Sequence, residues 1–283
     1  MAIPTYATPL DRLWYYGFRF ICGAIFLFLI APILVIIPLS FNAEPYFTFT
    51  SEMLRLDPDA FGIRWYQDII ENEQWLHAIK NSFIIGVSAT ILSTILGTLA
   101  ALGLSRSYLP YRSAIMGLLI SPMIVPLIIS AAGMFFFYSD IGLAQTYPGI
   151  ILAHTALGTP FVVITVTATL VGFDHSLTRA AQNLGADPAT TFFKIQMPLI
   201  LPGVISGGLF AFVTSFDEVV VVLFLGGFEQ RTIPRQMWSG IREQISPTIL
   251  AVATLLITFS IILMTGLELL RRRNERLRGL SPG

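Results

Sequence analysis

Apolar residues along this chain gather into blocks of about twenty or more, parted by short polar stretches. At 1.5 Å per residue, a helix of about 20 residues crosses a hydrocarbon core of about 30 Å. Six blocks reach that length: 18–41, 78–104, 113–137, 149–172, 202–225 and 247–270. None alternates polar with apolar residues, and an open strand edge finds no partner in lipid. The pattern therefore predicts spanning helices and an all-α polytopic membrane protein with six transmembrane helices. The composition agrees: 54% of residues are hydrophobic and 12% charged, with a mean hydropathy of +0.73. A soluble chain carries roughly 25% charged residues, so lipid is the expected solvent for most of this one.

Net charge is zero, which argues against a nucleic-acid partner, but the charge is unevenly placed. With the N-terminus inside, eleven of the 17 basic residues fall in the cytoplasm: Arg12, Arg19, Arg106, Arg112, Arg179, Lys194 and the cluster Arg271, Arg272, Arg273, Arg276 and Arg278. Arg55, Arg64, Lys80, Arg231, Arg235 and Arg242 lie opposite. This bias predicts that both termini are cytoplasmic. The expected organisation is a cytoplasmic segment 1–17, a six-span transmembrane domain 18–270 and a basic cytoplasmic tail 271–283. The first block is longer than a signal-peptide core and lacks a small-residue cleavage pattern, so it reads as a retained span. A single cysteine, Cys22, rules out an intrachain disulfide and a cysteine-rich metal site.

The longest outside segment, 42–77, holds Glu44, Glu52, Asp57, Asp59, Asp68, Glu71 and Glu73 against two arginines. Its stretch 64–75 is amphipathic, and Trp65, Tyr66 and Trp75 suit a helix at the membrane interface. A second reading is that this acidic face receives a soluble partner or attracts a cationic solute.

The cytoplasmic stretch 173–201 is too long and too patterned for a simple connector. Arg179, Ala180, Ala181 and Leu184 suit a short helix, Gly185 can take the left-handed conformation that ends it, and Asp187 before Pro188 supplies an N-cap and first-turn proline for another. Small residues allow a partner close to the backbone, and Phe192, Phe193 and Ile195 give the second helix an apolar face. The segment reads as a docking element; an interfacial hairpin covering the bundle is the alternative.

The run Arg179-Ala180-Ala181, then Gly185-Ala186, then Ile195 and Pro198, resembles the EAA loop of type I ABC importer permeases. That pattern is Glu-Ala-Ala, three residues, Gly, nine residues, Ile, one residue, Leu, Pro, and the spacing here has no gap. Arg179 stands in place of Glu and Met197 in place of Leu. Leu to Met conserves volume, whereas Glu to Arg reverses a charge, so no specific ion pair carries over to Arg179. The residues Phe61 to Tyr66, Asn81-Ser82, His154-Thr155, Pro160 to Val163 and Ser215-Phe216-Asp217-Glu218 are similar, in order, to the spermidine and putrescine permease branch.

The resemblance implies a MetI-like permease fold in the bacterial inner membrane. It further implies a loop gripped by an ATP-binding subunit present in two copies, a second permease subunit, an external solute-binding protein, and alternating access by rigid-body movement of the spans. The chain has no Gly-x-x-x-x-Gly-Lys-Ser/Thr loop, so ATP hydrolysis is expected in a partner and no cofactor in this chain. Relatives with the same loop move iron, phosphonates or amino-acid derivatives, which keeps other substrates open.

Asp217 and Glu218 lie about 22 Å along a helix starting from the cytoplasmic side. An acid at the bilayer centre costs roughly 2.5 to 3.5 kcal/mol, so the pair calls for a water-filled cavity or a partner. They are the candidate substrate pathway, Asp217 foremost; the alternative is that both are interfacial acids or caps of a broken helix. Pro122 and Pro126 are expected to kink the third span or to serve packing. His154 is expected to be a hydrogen-bonded structural residue, His77 and His175 to be solvated, and no histidine spacing suggests a metal site. A self-contained secondary carrier, binding a coupling ion at Asp217 or Glu218, and a membrane scaffold anchored through 179–198 are the rival functions. The sequence shows no inverted repeat of the kind that favours the carrier.

Overall fold

A computed structural model describes residues 8–106, 108–243 and 246–277. Among them no strand forms beyond a single bridge between Asn42 and Phe61. Five helices are long and apolar enough to cross a membrane, or six if one sharply bent pair counts as a span. Two compact units divide the chain, one made of the residues up to Glu71 with those from Gln244 onward, the other Asn72–Glu243.

In the first unit, α1 (Pro9–Leu39) starts well before the apolar block at 18–41. The cause is local: Thr8 Oγ1 accepts from the Asp11 N–H, while Asp11 Oδ2 accepts from the Thr8 N–H at 3.0 Å, and Pro9 opens the first turn. Residues 1–7 of the expected N-terminal segment lie outside the described ones. After α1 come α2 (Ser51–Leu54), a 3-10 turn (Pro58–Ala60) and α3 (Arg64–Glu71). The last helix, here α13 (Thr248–Leu277), packs on α1 and α3. It carries the expected basic tail as far as Leu277, and residues 278–283 lie outside the described ones.

Asn42 organises the acidic segment. Fully buried, it donates through Nδ2 to the carbonyls of Tyr46 (3.2 Å) and Thr48 (3.3 Å), accepts from the Glu44 N–H, and offers its own carbonyl to Trp65 Nε1 at 2.7 Å. Trp65 is therefore turned into protein, a correction to its expected interfacial place. Asn42→Ala removes three part-buried bonds that hold the backbone of 44–48, at a cost of about 1 to 2 kcal/mol. Limited proteolysis should cut 43–60 faster in that variant; an unchanged cleavage rate would contradict the role.

The expected amphipathic helix 64–75 is in fact interrupted. Asn72 Oδ1 accepts from the Gln74 N–H and begins α4 (Glu73–Leu104), so Trp75 belongs to the first turn of that span, where it is buried. The second unit is built on α4, α7 (Tyr147–Val171) and α10 (Met197–Phe216), which pack mutually. One hydrophobic cluster joins Ile85, Ala131, Ile150, Ala153, Leu157, Val221, Val222 and Leu225; another joins Ala101, Val162, Val166, Leu170, Ile200, Val204 and Ala211. At the second cluster the helices approach closely. A Cβ on Gly207 would stand 2.8 Å from Val162 Cα, and one on Gly97 2.6 Å from Val162 Cβ. Threonines face the glycines without needing water because Thr165 and Thr169 donate to carbonyls four residues back on α7.

The third apolar block, expected as one span, is two helices, α5 (Arg112–Ile124) and α6 (Leu127–Asp140), bent by 101°. Proline explains the break. Pro126 has no N–H to give the Pro122 carbonyl, and its ring holds Val125 extended (ψ 133°). The fifth block is also redrawn. Helix begins at Pro188, runs through a π turn (Phe192–Gln196) into α10, and stops at Phe216; α11 (Val220–Leu225) is separate. Leu127 and Val220, the first residues after the two breaks, both pack on the Ile85 cluster.

Candidate functional site

Asp174 Oδ1 accepts from the Ser176 N–H at 2.8 Å and starts α8 (His175–Asn183). Gly185, at φ +85°, ends it: its N–H donates to the Gln182 carbonyl and the Ala186 N–H to the Ala181 carbonyl, the paired bonds of a Schellman turn. Asp187 Oδ1 then accepts from the Thr190 N–H at 2.6 Å and starts α9 (Pro188–Thr191). Hydrogen bonding from the Thr190 side chain, then from its backbone, holds the Asp187 carboxyl below its ordinary range. The predicted helix, turn and helix are all present. The π turn between α9 and α10 was not foreseen; Gln196 Nε2 leads from it to Thr178 Oγ1 on α8 at 3.2 Å.

Arg179, Ala180 and Gly185 are exposed, Ala181, Ala186 and Ile195 are half-buried, and Pro198 lies in the first turn of α10. Leu184, 89% exposed, and Phe193 project from the same segment. Apolar side chains left open beside small residues suit a protein partner.

Asp217 and Glu218 occupy the break at the other end of α10 and differ in surroundings. Glu218, only 8% exposed, accepts the Val221 N–H at 2.9 Å from just before the cap position and so holds the first turn of α11. Asp217 ends α10, its N–H donating to the Val213 carbonyl, and the residue is exposed. Two residues earlier, Ser215 Oγ lies 2.7 Å from Nδ1 of buried His154 on α7, the structural role expected of that histidine.

Beyond α11 a loop is anchored by residues whose sequence separation hides their pairing. The Glu229 carbonyl is met by Asn81 Nδ2 (2.7 Å), Tyr147 Oη (2.8 Å) and His77 Nε2 (2.7 Å), while Asn81 Nδ2 also reaches the Arg231 carbonyl. Ser82 Oγ accepts from Ile233, the first residue of α12 (Ile233–Glu243). His77 is thus a tie to the loop rather than merely solvated; the His175 side chain lies outside the described ones. Among the described residues no group of three or more histidine, cysteine or acidic side chains could hold a metal.

Residues 93–276, well over half of the chain, match the family described as the binding-protein-dependent transport system inner membrane component. The chain belongs to this family. It is an inner-membrane permease subunit of an ABC importer, a transport component rather than an enzyme. The permease protein PotC of the spermidine/putrescine transport system of Haemophilus influenzae is 31% identical over 251 residues, covering 89% of this chain and 95% of that protein. In Escherichia coli, PotC is 30% identical over 88% and 91% of the two chains, and the putrescine permease PotI 30% over 82% of each. A solved bacterial ABC transporter that imports alginate superposes with a TM-score of 0.70 at 16% identity, covering 93% of this permease and 98% of that chain. A second structure, that alginate transporter with a pentasaccharide-bound periplasmic protein, gives 0.64 at 17%. The likeness establishes the fold of the permease.

Proposed function

We propose that this permease forms half of an inward pathway for a polyamine, spermidine or putrescine, or a related small organic cation, by alternating access driven by a partner ATPase. The observation that carries the reading is the alignment with polyamine permeases along about nine-tenths of the chain. The positive-inside bias supports an orientation with both termini cytoplasmic. The other half of the pathway is a second permease, two ATP-binding subunits dock on the cytoplasmic side, and a solute-binding protein delivers the cation from outside.

Asp217 supports the choice of a cation: it is exposed and, unlike Glu218, its carboxylate does not hold the start of α11. The 101° break in the third span supports a pathway beside it. Residues Met123, Ile124, Val125 and Pro126 are exposed there, and non-helical backbone at membrane depth is tolerated against protein or water but not lipid. Reconstitution tests the reading. Proteoliposomes holding this permease with its second permease, ATPase and binding protein should accumulate labelled spermidine or putrescine only with ATP. Hydrolysis without movement of either polyamine would remove the substrate class, and uptake by this chain alone without ATP would overturn the importer.

The segment from α8 to the π turn is the ATPase-docking element in this reading. Gly185→Val forces a β-branched residue into left-handed backbone at a cost of roughly 1 to 2 kcal/mol and redirects α9. The variant is expected to lose most ATP-dependent uptake while the permease remains folded, measured by monodispersity alongside uptake. Full uptake in a folded variant would contradict the docking role.

A further inference from the structure

Four side chains between α7 and α10 carry charge at neutral pH: Asp174, Arg179, Asp187 and Lys194. Both carboxylates are turned to backbone, Asp174 to the start of α8 and Asp187 to the start of α9. Lys194 adds an attractive influence on Asp187. Arg179 is different. It is exposed, and no ion pair joins it to any described residue.

The helical repeat fixes what surrounds it. Successive residues turn by about 100°, and the Thr178–Gln196 bond with half-buried Ala181 marks the inward side of α8. Exposed Ser176, Ala180 and Asn183 then form a strip of small and short polar residues facing outward. Arg179 flanks this strip on one side. Leu184, with Leu177 further round, flanks it on the other, and both are exposed. The surface is two-sided: close backbone approach in the middle, an apolar edge, and a cationic edge.

A partner settling over the strip strips water from both edges together. Burial of Leu184 is favourable by itself, but a guanidinium that loses its water must meet an acceptor of opposite charge, and its planar fork suits a carboxylate. We infer that the ATP-binding subunit receives α8 in a groove with one apolar wall, against Leu184, and an Asp or Glu on the opposite wall, against Arg179. This rests on the docking reading above and adds the chemistry of the partner surface. It also assigns Arg179 a role in choosing among ATPases, since a groove with a cation on that wall would repel it.

The test measures affinity of the purified ATP-binding subunit for the permease complex in nanodiscs, across a series of NaCl concentrations. Arg179→Glu is expected to weaken binding about tenfold or more, with Arg179→Gln between it and the parent, and the parent alone losing affinity steeply with salt. Equal affinity of parent and Arg179→Glu would overturn the inference. Leu184→Asp separates it from the docking reading: if that variant also binds normally, α8 is not the contact. If Leu184→Asp fails while Arg179→Glu binds normally, docking stands and the acidic wall is wrong. Positions 179 and 184 are both exposed, so all three variants should remain folded.

Discussion

Leucine in place of Gly207 is expected to abolish recovery of folded permease, and alanine to lower its thermal midpoint. Even the first side-chain carbon at this position would sit 2.8 Å from Val162 Cα and press on Thr165 Oγ1. Backbone cannot swing aside as a side-chain tip can, so α7 and α10 would have to separate at Val162, within the second hydrophobic cluster. Overpacking of this kind costs typically 1–3 kcal/mol for one added methylene, and leucine adds three more carbons. Gly208 supplies the contrast. Its added carbon would meet Thr94 Oγ1 at 2.9 Å, a hydroxyl that can rotate away, so Gly208→Ala should be milder. Midpoints measured in detergent by fluorescence would decide the matter, and a Gly207→Ala protein as stable as the parent would show that the helices are not closely locked there.

Asp217→Asn is expected to reduce ATP-dependent uptake by about tenfold or more, the effect of losing roughly 1.4 kcal/mol of attraction for a cation. The change preserves volume and removes only charge. Glu218 behaves differently because its carboxylate accepts the Val221 N–H in a buried setting. Glu218→Gln keeps an acceptor and should keep most uptake, whereas Glu218→Ala orphans that N–H, at about 1–3 kcal/mol, and should lower stability as well. Uptake and midpoint measured on all three variants separate the two acids. Unchanged uptake in Asp217→Asn, or a larger loss in Glu218→Gln than in Asp217→Asn, would move the cation contact away from Asp217.

What the sequence made legible was local. Asp187-Pro188 and Gly185 announced a helix start and a helix end because capping chemistry needs only neighbouring residues, and both appear with the expected hydrogen bonds. The same kind of signal lay unread at Thr8 and Asp11, where a capping box begins α1 at Pro9 rather than in the apolar block. Pro126 was visible, but a proline in a membrane span accompanies anything from a slight kink to a full break, and only its neighbours decide. A π turn has no comparable residue signature. Trp65 and Trp75 were misplaced because an amphipathic period fits a lipid surface as well as a protein groove. Asn81 and Glu229 meet across 148 residues, a distance at which periodicity carries no information.

The helical run Pro188–Phe216 has a further consequence. Its 29 residues, near 1.5 Å each, make a rod of about 43 Å, and a tilt of about 10° around its centre would carry each end by about 4 Å. One end adjoins the surface assigned to the ATPase and the other ends at Asp217. Such a rod conducts in both directions: by thermodynamic reciprocity, whatever free energy ATPase docking contributes to cation binding, the arriving cation returns to ATPase docking. Cargo at Asp217 would then tighten the grip on α8 before any nucleotide is hydrolysed.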